Sequence, residues 1–197
     1  MKDLKVQKEF KAIWKIKVSS NSKYKNASVS YVNNVVSELS KTRVIYDHKE
    51  VLINKEKTAG VYLIYSKKKE NVVLTYVGES KDIFNRLRKH IYNIRTRNKL
   101  ASRILTKEPD INNLNFLILE EVNDINERLK KETYYIYVFR SKFTNVNKSL
   151  ANKKMRCDFG HGVKRTYLTF KKDIPYLDLY IYGKCRNKLC TNTFFIG

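Results

Sequence analysis

The amino-acid sequence predicts an α+β fold: a small three-stranded antiparallel sheet flanked by helices, with an N-terminal helical segment and a C-terminal basic lobe. Three observations predict it. Residues 60–65 and 72–77 are β-branched and aromatic runs separated by a short charged stretch, which reads as a hairpin, and residues 115–120 make a third such run. Two amphipathic stretches with helical spacing stand between and after these runs. The chain has 197 residues and is 42% hydrophobic, enough for one main core with an appended lobe, and its two prolines and six glycines exclude a linker-rich chain.

Over residues 1–57, the stripe Tyr31, Val35 and Leu39 predicts a helix at 27–41, preceded by the polar run 19–26, and residues 44–53 read as extended. Residues 58–150 form the central domain. Its first strand opens at Gly60, residues 67–71 make the turn, and Gly78 ends the second strand. Ser80 can cap the next helix, with Asp82 in the first turn, where the helix dipole favours a carboxylate. Ile83, Leu87, Ile91 and Ile94 mark that helix's buried stripe. A short helix is expected at 99–105, and a long one over 124–139 follows the third strand. Residues 151–197 form the basic lobe.

Charge narrows the partner. Lys and Arg number 41 against 19 Asp and Glu, a formal net charge of +22. The excess is +7 over residues 1–59, +8 over 60–150 and +7 over 151–197, so it is not a tail. Distribution over ordered segments suits a groove that tracks a phosphate backbone. A membrane-surface helix would concentrate the charge on one amphipathic stretch. Solvation of the surface is the bland alternative. No apolar run approaches the roughly 20 residues that span a bilayer. The charged start Met1-Lys2-Asp3-Leu4-Lys5 lacks a signal peptide's apolar centre, and three cysteines do not make a disulfide framework. A cytoplasmic, DNA-associated location is expected.

Some residues ask for a chemical explanation. On the long helix, Glu132 falls within the stripe of Ile125, Leu129, Ile136 and Phe139. An inward carboxylate is costly unless it is paired or binds a cation. A buried salt bridge is the other reading. Arg86 and His90, four apart, lie on one edge of the earlier helix's buried stripe, while Arg88 and Lys89 point away. Taken singly, His90 reads as a satisfied core histidine and Arg86 as a surface charge.

Together these pieces resemble the GIY-YIG nuclease family. The name motif reads Gly60-Val61-Tyr62 and, thirteen residues intervening, Tyr76-Val77-Gly78, with valine for isoleucine in both triplets. Arg86 follows ten residues past Tyr76, and His90 after it. Glu132-Thr133-Tyr134-Tyr135 is similar to the family's catalytic glutamate followed by aromatics, and Asn147, with Asn145 as a rival, stands where a family asparagine is expected. The resemblance covers residues 58–150 and implies a small GIY-YIG-like core that cuts phosphodiesters. Such cleavage needs an activated water, charge neutralisation at phosphorus and help for the leaving 3′ oxygen. The resemblance implies that Glu132 holds Mg²⁺ (or Mn²⁺), that Arg86 contacts the scissile phosphate, and that Tyr62 acts as general base with Tyr76 orienting phosphate or water. His90 would hydrogen-bond a tyrosine or the phosphate. A free phenol, with a pKa near 10, needs a nearby cation to serve at neutral pH.

The last 47 residues lie outside the resemblance. They hold all three cysteines, as Cys157-x3-His161 and Cys185-x4-Cys190, a set that suits a structural zinc ion or, alternatively, reduced packed cysteines. The stretch 164–172 interleaves basic and aromatic residues. Lys81, Arg88, Lys89, Lys164, Arg165, Lys171 and Lys172 are the expected DNA contacts. The expectation is a Mg²⁺-dependent endonuclease on double-stranded DNA, of homing or restriction type, from an AT-rich genome such as a phage's. A structure-specific repair nuclease and a non-catalytic nucleic-acid-binding protein on a nuclease scaffold are the alternatives.

Overall fold

A computed structural model describes residues 22–98, 103–104, 107–139, 141, 147, 155–157, 159–170, 179–187, 189–190 and 193–195. The sequence of the central hairpin leaves it little choice of structure. Strand β2 (Gly60–Lys68) and strand β3 (Asn71–Ser80) pair antiparallel around Lys69 and Glu70, with Lys69 at a φ of 54°. The turn is therefore tighter than the expected 67–71, since Lys67 and Lys68 stay in the ladder opposite Val72 and Asn71. Strand β4 (Leu114–Glu121) pairs with the other edge of β2.

A fourth strand joins the expected three. Strand β1 (Ile45–Tyr46) pairs through Ile45 with Leu117 and through Tyr46 with Phe116, giving the order β1-β4-β2-β3. The rest of the stretch read as extended is a one-turn helix, α2 (His48–Ile53). Its cause is a capping box. The Asp47 carboxylate accepts from the amides of Lys49 and Glu50 at 2.7 and 2.8 Å, and the Glu50 carboxylate accepts from the Asp47 amide at 2.7 Å.

Both faces of this sheet are covered, which is why β2 reads as an unbroken apolar run. Val61, Leu63 and Tyr65 face one core with Val32, Val35 and Val36 of helix α1 (Ser22–Thr42) and Leu129 and Ile136 of helix α4 (Ile125–Val138). Tyr62 and Ile64 face the other with Ile83, Phe84, Leu87 and Ile91 of helix α3 (Ile83–Arg95). Each such side chain contributes roughly 1.5–3 kcal/mol when fully buried. Helix α1 begins at Ser22, earlier than its stripe predicts.

Two helix starts differ from expectation. Asp82, not Ser80, caps α3, accepting from the Asn85 amide at 2.9 Å. Strand β3 continues through Ser80, whose hydroxyl instead accepts from the Asp82 amide and donates to the Asp82 carbonyl. At the start of α4, Ile125 is 47% exposed although the stripe places it inward; the buried position one turn on belongs to Arg128. Arg128 pairs with Glu79 at 3.2 Å and donates to the carbonyls of Val122 and Asn123, so its charge is buried with partners. The short helix expected at 99–105 falls largely outside the described residues.

The C-terminal lobe is a second antiparallel sheet, β5 (Val163–Phe170), β6 (Leu179–Cys185) and β7 (Thr193–Phe195), in that order. Met155, Cys157, Val163 and Cys185 share the core that contains Val36, Val77 and Ile136. Among the described residues, no helix is long and apolar enough to cross a membrane.

Candidate active site

The hairpin register brings the two tyrosines together. Tyr62 lies opposite Gly78 and Tyr76 opposite Ile64, so both phenols leave the same face of the sheet, the one covered by α3. Their ring centroids are 6.3 Å apart. Helix α3 then delivers Arg86 and His90, one turn apart. The Tyr62 hydroxyl lies 3.1 Å from His90 Nε2, and the Tyr76 and His90 rings meet edge to face at 5.2 Å. The Arg86 guanidinium and the Glu132 carboxylate, half-buried on α4, both act electrostatically on the two phenols, with opposite signs.

The two triplet glycines have separate reasons. A Cβ on Gly78 would stand 2.5 Å from the Tyr62 hydroxyl oxygen and 2.6 Å from its ring. A Cβ on Gly60 would stand 2.0 Å from the Glu120 carbonyl oxygen, where β2 and β4 meet beside a bulge. The first glycine lets two strands close, and the second makes room for a phenol.

Burial dominates the electrostatics. It pushes Tyr62 well above the usual phenol range, with Tyr76 adding to the effect and the Arg86 cation opposing it. Burial also raises Tyr76, again opposed by Arg86 and reinforced by Glu132. His90 is pushed down to about 3 by burial and then by Arg86, so its imidazole is neutral.

His90 therefore makes the fold sensitive to acid. Its folded pKa of about 3 lies below the unfolded 6.5, so the unfolded chain binds the extra proton between these values. The contribution is complete above pH 6.5 and is lost as pH falls toward 3. Between pH 7 and pH 5 we expect a loss on the order of 2 kcal/mol in denaturant titrations. His90→Gln should flatten that slope; an unchanged slope would assign the acid sensitivity elsewhere.

The structure thus unites Tyr62, Tyr76, Arg86, His90 and Glu132. Asn147 stands apart from them. Its Nδ2 donates to the Val77 carbonyl at 2.7 Å and its Oδ1 accepts from the Val77 amide at 3.0 Å, so it clamps the exposed edge of β3 between Tyr76 and Gly78. Among the described residues its amide makes no hydrogen bond to either phenol. Asn145 lies outside the described residues. The Arg128–Glu79 pair ties the end of β3 to α4 one turn before Glu132; its members are 49 residues apart, so no local pattern in the sequence signals it.

Of the expected DNA contacts, Lys81 and Lys89 are exposed. Arg88 differs from expectation: it is half-buried, and its Nη1 donates to the Asn54 carbonyl at 2.6 Å, which secures the chain after α2. Lys164 and Arg165 lie on β5, and Lys171 and Lys172 fall outside the described residues.

A second group of side chains lies in the C-terminal lobe. One ligand atom each from Cys157, His161, Cys185 and Cys190 lies within 4.8 Å of the others.

The two phenols, the Arg86 guanidinium, the neutral His90 imidazole and the Glu132 carboxylate thus gather at one end of the antiparallel sheet. Residues 58–147, a little under half of the chain, match the family model of the GIY-YIG catalytic domain, a nuclease domain. Its substrate is nucleic acid. No curated protein and no solved structure matches the chain.

Proposed function

We propose that the protein is a divalent-metal-dependent endonuclease that hydrolyses phosphodiesters of double-stranded DNA within the cell, in a homing or restriction role. The convergence of Tyr62, Tyr76, Arg86, His90 and Glu132 at one sheet end carries this reading. Glu132 suits Mg²⁺ or Mn²⁺, since a half-buried oxygen donor can hold a hard ion that keeps most of its waters. Bound there, the ion would supply positive charge for the phosphate and the departing 3′ oxygen, and would reverse the upward effect that Glu132 exerts on both phenols.

The side chains divide the remaining work. Arg86 is exposed while its charge acts on both phenols, so it can grip a non-bridging phosphate oxygen beside them. Sequence favours Tyr62 as the base, yet Tyr62 is 0% exposed, and the half-buried Tyr76 is the phenol that an incoming water meets. Tyr76 would act as the base in its phenolate form, which the Arg86 cation favours and an ion held by Glu132 would favour further, and it returns to the neutral phenol on taking the water's proton. The new bond joins water oxygen to phosphorus, and the bond to the 3′ oxygen breaks.

The test uses purified protein on supercoiled plasmid, single-stranded DNA and RNA, with Mg²⁺, Mn²⁺ or excess EDTA. Cleavage of the plasmid with either ion and none with EDTA is expected, and discrete fragments would support site recognition. Plasmid retarded on a gel but intact with every divalent ion would overturn the reading in favour of a binding protein. Cleavage confined to RNA would overturn the choice of substrate.

A further inference from the structure

We propose that Cys157, His161, Cys185 and Cys190 hold one structural zinc ion, and that this ion fastens the C-terminal sheet to the core of the catalytic domain. The site is separate from the nuclease chemistry and stands whatever the protein cuts.

The donor set argues for the ion. All three cysteines of the chain and one of its three histidines converge, with ligand atoms within 4.8 Å of one another. The cysteines are unbridged, and three thiols cannot pair off. The Cys157 Sγ to His161 Nδ1 separation is 3.6 Å. A tetrahedral zinc with Zn–S near 2.3 Å and Zn–N near 2.0 Å sets that edge at about 3.6 Å as well. Soft thiolates with an imidazole select zinc over Mg²⁺ or Ca²⁺, and four protein donors leave no open position for chemistry.

The backbone presents these donors from two turns. In the first, the Cys157 amide donates to the His161 carbonyl at 2.9 Å and the Gly160 amide to the Cys157 carbonyl at 2.8 Å; Gly160 supplies the φ of +75°. In the second, the Asn187 side chain accepts from the Leu189 amide at 3.0 Å, and the Cys190 amide donates to the Asn187 carbonyl. Pairing of β5 with β6 sets the turns side by side, through Val163 opposite Cys185 and a 2.7 Å bond from the Arg186 amide to the Gly162 carbonyl.

The position argues for the fastening role. Cys157 and Cys185 are buried, and with Met155 and Val163 they belong to the apolar core that also holds Val36, Val77, Leu129 and Phe139. The cluster thus stands where the second sheet meets the first domain. A zinc ion there joins both turns and ties each to that core, which a sheet of three short strands needs if it is to hold one orientation.

The full chain, purified without chelator, should carry one zinc per chain by elemental analysis. Cobalt exchanged into the wild-type protein should show thiolate-to-metal absorption and the strong visible bands of a tetrahedral site. Removal of the ion should speed amide exchange in β5 and β6 at least about tenfold and leave β2 and β4 protected. Cys185→Ser should lose the ion, and the cobalt spectrum of the wild type keeps the test valid if that variant fails to fold. No bound zinc, a disulfide among the cysteines by mass, or an octahedral cobalt spectrum would each overturn the site. Unchanged exchange in β5 and β6 after the ion leaves would overturn the fastening role.

Discussion

Glu132→Gln is expected to lower single-turnover cleavage of duplex DNA by about 10³-fold and to leave retardation of the same DNA on a gel unchanged or slightly stronger. The substitution preserves shape and hydrogen-bonding capacity and removes one negative charge. The sign of its effect separates two roles for the carboxylate. In the metal-free site Glu132 raises the pKa of both Tyr62 and Tyr76. Removing that charge alone would bring the phenols closer to their working range and would help a phenol base. Only a carboxylate that holds the cation predicts a large loss. Cleavage by Glu132→Gln at or above the wild-type rate would therefore strip Glu132 of the metal and leave it an electrostatic neighbour. Unchanged DNA retention matters equally, because the +22 net charge gathers nucleic acid without help from this residue.

The parts legible in the sequence are those whose physics is local. Strand β2 is apolar on both faces because it is central and covered on both sides, and that shows as an uninterrupted run. Glu132 could be placed inward because helical spacing carries phase information over a turn. The Cys and His pairs announced themselves by spacing. Strand β1 lies inside the stretch 44–53 that reads as extended, but its partner was not legible, because two residues carry no period and Ile45 and Tyr46 pair only where β4 offers an edge. Helix α2 had a readable signal in Asp47 and Glu50, masked by the β-branched neighbours that favoured an extended reading. The capping of α3 turned on how far β3 runs, a tertiary property. Asn147 and Arg88 show the same limit for side chains: their partners are the Val77 and Asn54 backbones, 70 and 34 residues away, and no local pattern encodes such pairs.

Gly78→Ala should be nearly as damaging to function as a direct change in the site, and for a reason of packing. The added methyl would sit 2.5 Å from the Tyr62 hydroxyl oxygen and 2.6 Å from its ring carbon. Tyr62 has no room to retreat, being fully buried with its hydroxyl bonded to His90, and Gly78 is fixed opposite it by the β2–β3 ladder. The phenol must shift by something like an ångström, and a misplacement of that size costs about 10²-fold in rate. Overpacking of this kind also costs about 1–3 kcal/mol of stability. A double-mutant cycle isolates the cause. Tyr62→Ala leaves a cavity and is itself destabilising by several kcal/mol, but with the ring gone the alanine at position 78 meets nothing there. The stability cost of Gly78→Ala, measured by denaturant titration, should accordingly fall to near zero in the Tyr62→Ala background, a coupling of roughly 1–3 kcal/mol. Additive costs would mean that the strand backbone, not the phenol, resists the methyl. The second triplet would then need its glycine for the hairpin rather than for the first triplet's tyrosine.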